Sequence, residues 1–472
     1  MKREERIYEA LTDIDERYIE EAYLTKQEDA VGRAKWFPRF QALPKIKKGL
    51  LVAGLALLLA GGALVAQWIG GKALHASSLV QAGSDPMITS IDDRDEYKPA
   101  SAQMEAMRDF ALASSSLLLE DYAGNVTYSP VSLYYTLALL AEGSANETEQ
   151  LLLENLGASN LEDLREGAGR FLRYYYRDGS VESDGTLTLA NSVWIAEALD
   201  RSIEIKDAYL SAVEHDYHAD VYQVDFEGSD SLKEIAGWLG ENSAIIDPLA
   251  PAVDEFTQLV LFNTVDFKAL WEKHFEAHEV DDDIFYVDSE TEVTVPFLKR
   301  KEWGTFYQTE TFLRSSLNIQ SQAKISFILP ADGVSPEDLI QREDDLDLLI
   351  SGGEAIHGEV TWAVPTFRTH NNLELNKLIA DLGLGSLFDS ASDLSRLSDE
   401  VNFLDFVRQE IAFEISDKGV SASAISSLVI DGEPPITSTA DMVLDRPFIY
   451  VITLGDEDVP LFIGICRDPS IA

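Results

Sequence analysis

The chain has 472 residues and a single cysteine, Cys466. An intrachain disulfide is therefore excluded, and the fold has to be held by its core. With no histidine poised beside it in sequence, Cys466 reads as a small buried hydrophobe rather than a nucleophile. Basic side chains are scarce: 37 Lys and Arg stand against 83 Asp and Glu, a formal net charge of −46. Phosphate backbones are bound by concentrated positive charge, so this balance argues against nucleic acid as a partner. Catalytic signatures are missing as well. The sequence has no G-x-S-x-G, no G-x-x-x-x-G-K-[ST] and no H-E-x-x-H. His274 and His278 stand four apart in "HFEAH", but the glutamate falls two places after the first histidine, where a metalloprotease base is not expected. His215 and His218 have no third ligand in view, and Asp281–Asp283 lacks the loop glycine and spaced acids of a calcium loop. A Ser/His/Asp triad is assembled in space and leaves no sequence trace; nothing here points to one. No metal, no cofactor and no enzymatic activity are expected.

Charge is uneven. Residues 1–48 hold 11 basic and 10 acidic side chains, which leaves 26 basic and 73 acidic beyond them (37 less 11, 83 less 10). Between the two lies "GLLVAGLALLLAGGALVA", followed by Gln67-Trp68-Ile69 and free of charge. About 20 apolar residues span a bilayer, and a core helix of this length would show a polar stripe. Residues 49–69 are thus expected to cross a membrane once. Arg33, Lys35, Arg39, Lys45, Lys47 and Lys48 precede the span with no acid from Val31 onward, which puts the N-terminus in the cytoplasm and the rest outside. The 48-residue leader is too long for a cleaved signal peptide. Within the cytoplasmic tail, Ile7, Leu11, Ile14 and Tyr18 recur at helical spacing. Residues 1–30 therefore form either a docking helix for a cytoplasmic partner or a solvated tail. Residues 70–102 collect Gly, Ser, Asp and Pro without a period and read as an extracellular tether.

From residue 103 to 472 helical patterns come first ("AMRDFALASSSLLLED", "SPVSLYYTLALLAEGS") and β-branched runs follow ("TQLVLFNTVDF", "KISFILP", "FIYVITL", "VPLFIGIC"). Strict βαβ alternation is lacking, so the expected class is α+β with large, mostly antiparallel sheets.

Several blocks in this region resemble the serpins in order and spacing. "NVTYSPVSLYYTLALLAEGS" is similar to the family's N-x-x-x-S-P-x-S segment. "TQLVLFNTVDFKALWEKHF" carries N-x-x-x-F-K-x-x-W at Asn263, Phe267, Lys268 and Trp271. "VPTFRTHNNLELNKLIADLGLGSLF", "DRPFIYVI" and "LFIGICRDP" match later strands and helices. The resemblance implies a fold of three mostly antiparallel sheets, eight to nine helices and an exposed reactive loop. The expected partner is a target serine or cysteine protease, which cuts the loop. In the family the cut loop then inserts into the central sheet and carries the covalently attached protease to the far pole. The lack of disulfides and the short tail suit a bacterial, Gram-positive type of member.

The hinge of that loop falls on Ser416-Asp417-Lys418-Gly419-Val420-Ser421-Ala422-Ser423-Ala424. Its residue types suit burial independently of the resemblance. Alternate residues of a strand face opposite ways. One set is Val420, Ala422, Ala424, Ser426 and Leu428, small and uncharged, and charged side chains there would stall insertion. Gly419 supplies a permissive pivot. Departures from the family pattern are Val420 in place of the usual threonine, Ile425 in place of a smaller residue, and Gln409 where many members have a histidine beneath the sheet. Gln409 is expected near Ser129, Ser132 and Asn263, in the region that times sheet opening and that also includes Trp271. The family's usual loop length ends on Glu433, followed by Pro434, which proteases resist just after the cut. The scissile bond is therefore expected near Asp431-Gly432-Glu433 or past the prolines at Ile436, Thr437 or Ser438. Two readings stay open: an inhibitor that traps proteases, or a non-inhibitory serpin that serves as a surface binding or structural module.

Overall fold

The computed structural model describes residues 77–80, 95–175, 177–178, 186–197, 203–226, 229–242, 253, 256–320, 323–341, 345–420 and 438–471. The chain divides into two units, Met1–Ala73 and Leu74–Ala472. The first unit, with the expected span 49–69 and the tail helix, lies outside the described residues. Among the described residues no helix is long and apolar enough to cross a membrane.

Strand β1 (Ser77–Val80) lies inside the expected tether. Helix α1 (Ser101–Asp121) opens the helical region, and β2 (Val126–Tyr128) leads into α2 (Pro130–Gly143). The start of α2 is set by sequence: Pro130 needs no N–H partner at the first turn, and Ser129 Oγ accepts the Ser132 amide at 3.4 Å. All of α2 is buried, as a helix that is apolar on every side must be. Helices α3 (Asn146–Asn155) and α4 (Leu161–Tyr175) pack around it.

Next come β3 (Arg177–Asp178), β4 (Thr186–Ala196), α5 (Asp207–His215), β5 (Ala219–Val224), α6 (Ser229–Asn242) and β6 (Leu259–Leu270). They are followed by β7 (Val280–Tyr286), β8 (Glu292–Gln308), β9 (Phe312–Ile319), β10 (Ala323–Pro330), α7 (Pro336–Ile340) and α8 (Asp345–Ile350). The chain closes with β11 (Ile356–Pro365), β12 (Phe367–Glu374), α9 (Asn376–Ile379), β13 (Phe406–Ser416), β14 (Gly419–Val420), β15 (Thr439–Val443), β16 (Phe448–Leu454) and β17 (Val459–Cys466).

Among the described residues two hydrogen-bonded sheets result. One runs β1-β5-β4-β6-β14-β13-β12 with β3 on β4; the other runs β15-β11-β8-β9-β10-β16-β17-β2 with β7 on β8. The resemblance led us to expect three. The count falls to two because β8 is continuous over 17 residues: its first part pairs with β7, its middle with β11 and its end with β9, which fuses two sheets into one. Strands β16 and β17 are buried at every position, and the main core lies between the sheets and α2. Cys466 ends β17, fully buried, and burial pushes its thiol well up, as suits a core residue. A smaller apolar cluster of Trp194, Trp238, Phe262 and Phe406 lies on the other face of the first sheet, under α6.

Candidate functional site

The first sheet is forked. Strands β6 and β13 run parallel and pair directly only from Phe406↔Val260 to Glu410↔Thr264. Further along, β14 stands between them, antiparallel to both: Val420 pairs with Ala269 and Ile415, and Gly419 with Leu270 and Ser416. The register of the two outer strands does not change across the fork. The residue numbers differ by 146 at Glu410↔Thr264 and by 146 again at the Ile415–Val420–Ala269 row (410 − 264; 415 − 269). The strands have moved apart sideways without sliding.

Gly419 is required at the fork. Its φ is +146°, and a Cβ there would stand 2.4 Å from Ala269 O and 2.7 Å from Leu270 Cα, both backbone atoms. Val420 is only 1 % exposed and belongs to the main core. Trp271 fastens the turn from the other strand: its indole N–H donates to Ser416 O at 2.8 Å and its amide to Lys418 O at 3.4 Å. Ser416 Oγ donates to Gly419 O at 3.2 Å, which closes the turn on itself. The expected hinge residues Gly419 and Val420 are thus docked, whereas Ser421, Ala422, Ser423 and Ala424 lie outside the described residues.

Farther down β6, beneath the sheet, lies a polar island. Asn191, Asn263 and Gln409 occupy one row across β4, β6 and β13. Gln409 Oε1 accepts the Ser129 amide at 3.0 Å, and its Nε2 donates to Ser129 O at 2.9 Å, so one side-chain amide grips both polar groups of a single residue. Asn263 Nδ2 donates to Asn191 Oδ1 at 2.5 Å. All of these side chains are buried, yet among the described residues Asn263 Oδ1, Asn191 Nδ2 and Ser132 Oγ have no hydrogen-bond partner. The structure brings Ser129, Ser132, Asn263 and Gln409 together. It places Trp271 apart from them, at the hinge. Asn191 was not anticipated, although a lone amide inside the apolar run "LTLANSVWIA" is the mark of a buried polar row.

On the opposite face of β13, Glu410 is buried at the vertex of the fork. Asn372 Nδ2 donates to its Oε1 at 2.9 Å, while its Oε2 has no hydrogen-bond partner among the described residues. Burial pushes this carboxyl above the ordinary glutamate range, partly offset by Arg408. Of the expected scissile region, Asp431, Gly432, Glu433, Pro434, Ile436 and Thr437 lie outside the described residues. Ser438 is described, and its carbonyl accepts the Glu359 amide at 3.1 Å at the edge of β11.

Among the described residues, then, the first sheet is split between two parallel strands, with the start of an antiparallel strand seated in the gap. The family model described as Serpin (serine protease inhibitor) matches residues 105–469. The chain belongs to the serpin family. Serpin-Z7 of Hordeum vulgare is 27 % identical over 75 % of this chain and 92 % of its own length. Alpha-1-antiproteinase 2 of Equus caballus is 28 % identical over 73 % of this chain and 82 % of its own. Among solved structures, the thermophilic serpin tengpin in its native state superposes with a TM-score of 0.70 at 23 % identity, covering 84 % of this serpin and all of tengpin. Serpin48 of the insect Tenebrio molitor gives a TM-score of 0.67 at 19 % identity over 79 % of this chain and 99 % of its own. Serpins are mostly protease inhibitors rather than enzymes, which agrees with the missing catalytic motifs.

Proposed function

We propose that this serpin inhibits serine or cysteine proteases as a suicide substrate, and that it is held outside the cell by one membrane-spanning segment, residues 49–69. The observation that carries the inhibitory reading is the fork with β14 in it. Once the loop is cut, insertion extends β14 between walls that keep a fixed register, first along the open fork and then by parting the direct β6–β13 pairs from Glu410↔Thr264 down to Phe406↔Val260.

Extending that register matches chemistry to chemistry. On the core side Ala422 comes between Phe267 and Phe413, and Ala424 between Val265 and Ile411. Next, Ser426 comes between Asn263 and Gln409, and Leu428 between Leu261 and Val407. Small residues meet aromatic and branched walls, and the one hydroxyl meets the polar island with its unpartnered Asn263 Oδ1. The other alternation set carries Ser421, Ser423, Ile425 and Ser427 to the opposite face. From Ser421 to Leu428 no charged side chain has to be desolvated. The new strand would add ladder hydrogen bonds to both neighbours, which is the source of energy for displacing an attached protease.

The cut is assigned upstream of Ser438, whose carbonyl is already bound to the sheet edge and would have to be released to lie in a protease cleft. Asp431-Gly432-Glu433 suits a glutamate-preferring protease; Ile436 and Thr437 suit an elastase-like one. The charge-free run 49–69, the basic flank before it and the acidic domain after it support a single-pass anchor with a cytoplasmic N-terminus. For residues 1–30 both readings stand, a solvated tail or a docking helix for a cytoplasmic partner, and the lack of disulfides fits a bacterial type. The second reading, a non-inhibitory module for surface binding or structure, is favoured by Val420 in the hinge and by Pro434-Pro435 in the loop.

Incubation with a panel of serine and cysteine proteases, followed by a denaturing gel, separates the two. A stable band of higher mass is expected with at least one protease. Clipping of the loop by several proteases without any such band would leave only the binding module.

A further inference from the structure

Among the described residues the buried cations are two arginines, Arg300 and Arg314, 8 % and 2 % exposed. In a chain of net charge −46 both line the same cavity, about 510 Å³, walled by β8 and β9 and by the end of α8. Each guanidinium lies over an aromatic ring, Arg300 Cζ at 3.9 Å from the Phe275 centroid and Arg314 Cζ at 4.0 Å from that of Tyr307. Arg314 donates to the carbonyls of Leu348, Leu349 and Gly352 at 2.7–2.9 Å. Among the described residues no carboxylate forms an ion pair with it. Asp458 lines the same cavity, but Lys324 holds it at 2.6 Å. Glu302 lies 2.9 Å from Arg300 Nε, yet off the N–H direction, so that Nε has no hydrogen-bond partner. Burial lowers both guanidinium pKa values and raises that of Glu302, as expected of a poorly hydrated space.

Buried charges are paired as a rule, and Arg314 faces an open cavity with backbone carbonyls and Tyr307 around it while its acidic neighbour Asp458 is held by Lys324, so its pairing is incomplete. The charges that line the cavity define the other half. Lys273, Arg300, Arg314 and Lys324 stand against Glu272, Glu302 and Asp458, an excess of one positive charge. The volume is far beyond that of an inorganic ion and within the range of pockets for small organic molecules. On the rim Trp303, 36 % exposed, offers a flat apolar face. We propose that this cavity binds a small organic monoanion, a carboxylate with a planar apolar body that rests on Trp303 while its charge meets Arg314 and Arg300.

The rival explanation is that the two arginines do no more than cap backbone carbonyls. Calorimetry and thermal melting of the full chain with benzoate, and with its neutral isostere benzamide, separate the two. Benzoate should bind saturably and raise the melting temperature; benzamide should bind at least about tenfold more weakly. Lys273 is exposed at the mouth, so Lys273→Glu should keep the fold and weaken benzoate about tenfold by reversing a charge there. Arg314→Gln should abolish binding, with Lys273→Glu keeping the idea testable if that variant does not fold. No saturable benzoate binding, equal binding of benzamide, or full affinity in Lys273→Glu would each overturn the proposal.

Discussion

At the scale of single residues, the fork rests on the absence of one side chain. Gly419 fits because it has no Cβ to strike the backbone of Ala269 and Leu270. Gly419→Ala should undock β14 at a cost of about 1–3 kcal/mol and shift trapping toward simple loop clipping, read as the ratio of complex to clipped protein on a gel. Ser426 tests the extended register. If it meets Asn263 in the cut form, Ser426→Ala should destabilise the cleaved protein by about 1 kcal/mol and leave the uncut protein unchanged. Equal urea midpoints for the two cleaved proteins would mean that the strand enters in another register. Glu410 gives a pH prediction. Its pKa is raised in the folded state, so its protonated form is the one that folding favours. That contribution is present below the ordinary glutamate value and is lost as pH rises through the folded value. Glu410→Gln should therefore stabilise the uncut protein most near neutral pH and flatten the slope of stability against pH over that interval.

At the scale of elements, the question is why a sheet would leave a gap. Direct β6–β13 pairing covers a short stretch, and the wedge of β14 prevents it from closing farther up. The uncut state thus forgoes ladder bonds that a full strand would make, and cutting anywhere in 428–437 should let them form. The expected outcome is a rise in melting temperature on the order of tens of degrees, since strain held in the uncut fold is released. A melting curve that does not move after cutting would remove the inhibitory reading and favour the binding module. What could be read in the sequence is the residue type, because a hinge that must later be buried has to be small, alternating and uncharged, and "GVSASA" is all three, although Ser421 to Ala424 lie outside the described residues. The docking of Gly419 and Val420 was not legible, since it depends on contacts with Leu270 and Trp271, far away in the chain. Nor was β1: "SSLV" has no period of its own and becomes a strand only because the edge of β5 offers hydrogen bonds at Gln223, Tyr222 and Val221. The fusion of two sheets through β8 was hidden for the same kind of reason, as periodicity marks a strand but not which strands flank it.

At the scale of the whole molecule, the proposed inhibition makes charge the selector of which proteases would arrive. Beyond residue 48 the chain carries 26 basic and 73 acidic side chains, so its field is strongly negative on all but local patches. A field of that sign raises encounter rates with cationic partners by about 10–10³-fold and lowers them with anionic ones. Screening acts within about 8 Å at physiological ionic strength, so the effect should be visible in salt. For a basic target protease the second-order rate constant of complex formation is expected to fall at least about tenfold between 50 and 500 mM salt, and for an acidic one to rise. Loop insertion from Ser421 to Leu428, by contrast, moves no charged side chain into the core. The stability gained on cleavage should therefore be the same at both salt concentrations. Stopped-flow association at a series of salt concentrations, set beside melting of the cut protein, separates the two steps. If the rate with a basic protease were flat in salt, recognition would lie in the loop alone and the acidic surface would serve solubility. If the cleaved protein's stability varied with salt as steeply as the rate, insertion would involve charges beyond Glu410 at the vertex of the fork.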